Sequence, residues 1–219
     1  MRMISTFRPF AALVALGLLG AADDAAAQAG ESAAAIGRAV PGADWRRQAQ
    51  PRDVVRLDAL GDAWAEALES VRGGGHAPSV AAAGALLDSR PGGEGAQPTA
   101  GNYRCRSLRL GTTVPDTPAF IAYPPFRCRV RIEGGATIFE KINGSQRTAG
   151  VILPGTPTRS VLIGTEALGN EAGFPAYGAD AARDRIAAVE RVGPDRWRLV
   201  FPHPSNGAIL EVMELVATR

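Results

Sequence analysis

The sequence predicts an α+β protein: an N-terminal helical hairpin packed on a small, roughly eight-stranded antiparallel β-barrel, lipocalin-like in architecture. Three observations predict it. Apolar residues recur at helical spacing up to Leu87 and at every second position beyond Asn102. About eight short alternating runs follow one another with turn signals and no helix between them. Two cysteines lie in nearly the same frame, Tyr103-Arg104-Cys105-Arg106 and Phe126-Arg127-Cys128-Arg129-Val130-Arg131-Ile132. Side chains alternate across a strand, so the cysteines and aromatics take one face and the arginines the other.

The chain opens on the pattern of a secretory signal peptide. Arg2 and Arg8 precede an apolar run from Phe10 to Ala22, and small residues allow cleavage near Ala27 or Ala29. The alternative is a retained N-terminal membrane helix, although the run is short for a span. No later segment is apolar enough to cross a bilayer, so the mature chain is expected in a periplasm or outside the cell. In that compartment Cys105 and Cys128 are expected to pair, and the loop they close contributes about 3 kcal/mol.

Residues 1–27 form the signal segment and 28–42 an Ala/Gly-rich leader. Residues 43–90 carry the helical hairpin. Val54, Leu57, Gly61, Trp64, Leu68 and Val71 make an apolar stripe on one helix from Pro51 to Val71. Asp58, Asp62, Glu66 and Glu69 make an acidic stripe beside it. A shorter helix is expected over Pro78–Leu87, with Trp64 anchoring the hairpin to the barrel. Residues 91–99 read as a Gly/Pro linker.

Residues 100–219 hold the strand candidates: Asn102–Leu110, Phe126–Ile132, Thr137–Ile142, Ser145–Leu153, Arg159–Gly164, Arg185–Val192, Trp197–Phe201 and Ala208–Leu215. Asn143-Gly144 is a type I′ hairpin signal. Closure into a barrel removes exposed edges, and a sandwich is the alternative. The irregular stretch Thr165–Asp184 is expected to fold over one barrel end as a lid or plug.

Several segments together resemble a known family. They are Arg56-Leu57-Asp58-Ala59-Leu60 with Trp64, Tyr103-Arg104-Cys105-Arg106, and Gly144-Ser145-Gln146-Arg147. Tyr177-Gly178 with Arg183-Asp184, and Glu190-Arg191 before Arg196-Trp197-Arg198-Leu199-Val200, complete the set. The chain resembles the secreted proteobacterial family catalogued as domain of unknown function 4893, from Trp45 to Leu215. The resemblance implies an exported domain and supplies no chemistry.

Two groups of residues are binding candidates. Arg104, Arg106, Arg127, Arg129 and Arg131 crowd one outer face, where each like-charged pair costs about 1 kcal/mol in water. Such a face fits an anion, or is neutralised internally, with the acidic helix stripe as the expected partner. Gln146, Arg147, Tyr177, Asp180, Arg183 and Asp184 are candidates for a polar site at the barrel mouth. The competing reading is that Asp180 and Asp184 cap turns and pair with Arg183 or Arg185.

No catalytic set is assigned. His76 and His203 stand far apart, and Ser205 lies too close to His203 in sequence for the two to form a catalytic dyad. No metal site and no cofactor are expected. A net charge of +2 gives no case for nucleic acid. The leading expectation is an exported, non-enzymatic envelope protein that binds a small or anionic ligand. A protein-interaction module, such as a periplasmic protease inhibitor or envelope scaffold, is second. A hydrolase with an unrecognised carboxylate site is third.

Overall fold

The computed structural model describes residue 42 and residues 44–218. The signal segment, its cleavage site and most of the leader lie outside the described residues. Asp44 accepts a hydrogen bond from the Arg46 backbone N–H and opens a one-turn helix, α1 (Trp45–Gln48). Pro51 starts α2 (Pro51–Asp58), where its missing N–H costs nothing. After the single non-helical residue Ala59 comes α3 (Leu60–Gly73), then α4 (Ala77–Ala83), which tightens into a 3-10 turn over Gly84–Leu87.

The strands are β1 (Gly101–Thr112), β2 (Phe120–Ala122), β3 (Phe126–Glu133), β4 (Ala136–Lys141), β5 (Gln146–Thr156), β6 (Arg159–Leu168), β7 (Asp184–Gly193), β8 (Arg196–Pro202) and β9 (Ala208–Ala217). All eight expected strands form. They pair in sequence order, all antiparallel, and β9 returns to β1 to close an up-and-down barrel. The extra strand, β2, shares an edge of β1 with β3: Leu108–Leu110 pair with β2 and Gly101–Cys105 with β3. The two are separated by Tyr123, Pro124 and Pro125. Proline has no N–H to give a ladder, so one continuous strand becomes two.

Alternate residues divide into two cores. Tyr103, Cys105, Cys128, Phe139, Ile152, Leu162, Val189, Trp197, Leu199 and Met213 belong to a cluster drawn from all eight barrel strands, with no helical residue in it. This is the barrel interior. It includes the Cys105–Cys128 disulfide, whose partners lie on neighbouring strands with Cα atoms 5.9 Å apart. The other cluster joins Leu57, Leu60, Trp64, Leu68 and Val71 of the helices to Leu108, Ile186, Val200 and Val212. The helices therefore coat the outside of the wall.

The single helix expected over Pro51–Val71 is two. α2 packs on β7 and β8, whereas α3 lies mainly on β1 and β9. A straight rod cannot follow both parts of a curved wall, and Ala59 takes up the change in direction.

The helical layer is fastened by one buried ion pair. Arg198 and Glu190, each 1% exposed, meet at 2.5 Å. Arg159 binds the second Glu190 oxygen at 2.7 Å. The Arg198 guanidinium then reaches out of the sheet to the backbone carbonyls of Leu86, Asp88 and Arg90. It also lies 5.1 Å from the centre of the Trp64 ring. The segment after the helices is held down too. Gly93 bridges to Arg191, and the Trp197 indole donates to the Gly95 carbonyl at 3.0 Å.

Trp64 is 3% exposed and touches both the apolar layer and Arg198. Trp64→Ala is expected to lower stability by about 3–5 kcal/mol, read from the urea midpoint of the purified protein. An unchanged midpoint would show that the helices dock through other contacts.

Candidate functional site

The inward face of the barrel is not apolar throughout. Toward the end carrying the β4–β5, β6–β7 and β8–β9 connections, the inward positions hold charge. They are Arg109 on β1, Lys141 on β4, Glu166 on β6, Arg185 on β7 and Glu211 on β9, with Gln146 and Thr148 on β5. Each shares the strand parity of the apolar interior residues further along. Lys141 is the only lysine in the chain.

A glycine pair sits beside this layer. Gly150 and Gly164 face each other across β5 and β6, flanked in register by Phe139 and Arg185. A Cβ on Gly164 would lie 2.1 Å from the Ala149 carbonyl oxygen, so no larger residue fits without moving backbone. Large inward side chains on the neighbouring strands thus alternate with two positions that have none.

The charged end lines a partly open cavity of about 80 Å³. Among its lining residues are Ser107, Arg109, Tyr123, Lys141, Gln146 and Glu166. It has room for several waters or one small molecule. Arg109 donates to the Gln146 side-chain oxygen at 2.7 Å, and Lys141 donates to the Gln146 backbone carbonyl at 2.8 Å. Lys141 also lies 3.9 Å over the Phe126 ring, and Arg109 lies 5.2 Å from the centre of Tyr123.

One of the five charges is matched closely with another. Arg185 and Glu211 pair at 2.8 Å, and Asn206 adds a second donor to Glu211. Burial opposes ionisation of Glu211, but Arg185 beside it holds its carboxyl below the usual range. Among the described residues the other three have no ion-pair partner, and Arg109 and Lys141 hydrogen-bond Gln146 alone. Among the described residues, no hydrogen bond or ion pair engages the Glu166 carboxylate, although Glu166 is 7% exposed. Burial pushes its carboxyl up despite the cations nearby, and burial likewise pulls the Lys141 ammonium down. The Arg109 Nε–H is buried without an acceptor. Charges of both signs therefore face a small cavity with bonding capacity left over.

The residues expected at a barrel mouth do not converge. Gln146 lines the cavity. Arg147 is on the opposite face of β5, bonded to the Glu171 carbonyl. Arg183 grips the Glu171 carboxylate through both terminal nitrogens and holds it down to about 2. Asp180 caps a turn by accepting from the Ala182 N–H. Tyr177 and Asp184 turn to α2. The Tyr177 hydroxyl donates to buried Asp53 and accepts from the Gln50 N–H, and burial raises its pKa. Asp184 pairs with Arg52 rather than with Arg183 or Arg185, and accepts from the Gly178 N–H. The stretch expected as a lid or plug thus packs on the outside of the wall, with Phe174 in the outer cluster. Its polar groups are consumed by α2 and by contacts within the stretch itself.

The arginine face is largely neutralised, and not by the helix stripe. Arg106 pairs with Glu214, Arg129 with Glu140, and Arg131 with Glu133 and Glu140. Asp58 is taken by Arg46, while Asp62, Glu66 and Glu69 are exposed on the helical layer. Arg104 and Arg127 stand opposite each other in register, both exposed. Among the described residues, no group of three His, Cys, Asp or Glu side chains is placed to hold a metal ion. No helix among them is long and apolar enough to cross a membrane.

A family model described as "Domain of unknown function (DUF4893)" matches residues 45–215. No curated protein matches the chain, and no solved structure does.

Glu166 has a folded pKa above its unfolded value, so its ionised form weakens the fold. Below the unfolded value both states are protonated and the cost is absent; above the folded value it is complete. Glu166→Gln is expected to raise the melting temperature at neutral pH, with the gain shrinking to nothing as pH falls through the carboxylate range. Calorimetry across that range checks it. A lower melting temperature at neutral pH would mean that Lys141, Arg109 and Arg185 already satisfy the carboxylate.

Proposed function

The chain belongs to the DUF4893 family over residues 45–215, and from that premise and the barrel we propose that it is an exported, non-enzymatic binding protein of the cell envelope. Its ligand is small and carries a carboxylate or similar anionic group. It sits in the cavity at the charged end of the barrel. The N-terminal signal pattern and the Cys105–Cys128 disulfide support export to an oxidising compartment.

The observation that carries this reading is the set of charges without ion-pair partners around a small, partly open cavity. Drawing charged groups out of water costs free energy that a hydrogen-bonded ion-pair partner offsets, and Arg109, Lys141 and Glu166 have no such partner. Arg109 and Lys141 retain donors beside the cavity and can bind an anionic group there. The rings of Tyr123 and Phe126 hold the two cations in place. The outer arginines support binding less well, because three of the five already have glutamate partners.

A native mass spectrum of the purified protein, compared with a denatured one, reveals any ligand that travels with it. Titration with short-chain carboxylic acids, with and without an amino group, then tests the site. Arg109→Gln or Lys141→Met is expected to weaken binding tenfold or more, since a hydrogen bond to a charged group contributes about 1.5–3 kcal/mol. Replacing Arg127, Arg129 and Arg131 together by Gln is expected to leave binding unchanged. The reverse pattern would move the site to the outer face.

A further inference from the structure

Resting on the barrel-end reading, we propose that the ligand is a small zwitterion of amino-acid size. Its carboxylate meets Arg109 and Lys141, and its ammonium meets Glu166.

The charge pattern selects among ligand classes. A simple anion would satisfy the two cations but leave the Glu166 carboxylate beside it, unbonded and repelling it. A simple amine would satisfy Glu166 and meet Arg109 and Lys141 instead. A molecule bearing both signs on neighbouring atoms answers all three groups at once. Glu211 is the weaker partner for the ammonium, because Arg185 neutralises its charge and, with Asn206, occupies its Oε2. The hydroxyls of Ser107, Ser145 and Thr148 add polar lining, and Thr148 stands opposite Glu166 in register.

Size selects further. A cavity of about 80 Å³ holds a molecule of few heavy atoms, and a peptide or a lipid headgroup would extend beyond it. The burial-driven rise in Glu166's pKa has the same direction: the site gains most from a ligand that brings its own cation.

Binding of glycine, alanine, propionate and ethylamine to the full mature protein, measured by isothermal titration, tests the assignment. Alanine is expected to bind at least tenfold more tightly than propionate or ethylamine. Glu166→Gln is expected to abolish that preference by weakening alanine and sparing propionate. Its circular dichroism and melting temperature establish that this variant is folded. Equal affinities for alanine and propionate, or a preference that survives Glu166→Gln, would overturn the zwitterion and leave a carboxylate-binding barrel. Failure of every compound to bind would overturn both.

Discussion

The Arg198–Glu190 pair is the interaction on which the arrangement of the molecule depends. It lies where three things meet: the barrel wall, the end of the helical layer and the segment that leads into β1. Glu190 is gripped by Arg198 and Arg159 from two neighbouring strands. Arg198 is thereby free to spend its remaining N–H groups on backbone carbonyls at the end of the helical segment. Such a pair repays its desolvation only when nearly every donor and acceptor is used. Here that condition is met with carbonyls that would otherwise be left unbonded at the end of a helical segment. The consequence is orientation: the helices have one register on the wall, set by polar geometry, with Trp64 and the leucines supplying the area.

The barrel was legible in the sequence because its signals are local. Period-two alternation and the cysteine frames each speak about a few adjacent residues, and all eight strands followed. Asn143-Gly144 marks the β4–β5 turn but does not form the expected type I′ turn: Asn143 lacks a positive φ, the paired positions end at Glu140 and Ala149, and the Asn143 side chain instead accepts from the Arg127 N–H. The break in β2–β3 was legible in principle from Pro124-Pro125. The break at Ala59 was not, because it comes from the curvature of a wall that the helix sequence does not encode. The site was harder still. Gln146 is among the sequence candidates, but Arg109, Lys141, Glu166 and Glu211 are not. Their signal lies in parity: each falls on the same face as the apolar interior residues of its own strand. Arg147, Tyr177, Asp180, Arg183 and Asp184 looked like a cluster because they are polar residues in and around an irregular loop. Their partners on α2 and in Glu171 could be found only once the chain was folded.

The interior shows a division of labour along the barrel axis. One half is filled by the disulfide, Phe139, Trp197, Leu199 and Met213, and behaves as an ordinary core. The other half trades packing for polarity. Gly150 and Gly164 stand beside it, and the charged layer lines the cavity. The well-packed half holds the strands in place, so the polar half need not stabilise the fold by itself. This is how a small barrel can keep buried charges without an ion-pair partner and remain closed.

The ladder between β1 and β9 joins nearly the first and the last residues of the sheet at nine paired positions. A chain made or threaded from its N-terminus cannot complete this structure until Ala208–Ala217 is free. Until then β1 and β8 each lack a neighbour, and the cavity has no Glu211 wall. The Cys105–Cys128 link, spanning a 23-residue separation, needs no such wait. It can form ahead of sheet closure by the emergence of about two-fifths of the chain. During that interval the nascent molecule is a tethered hairpin with open edges, exposed to whatever binds unpaired strands.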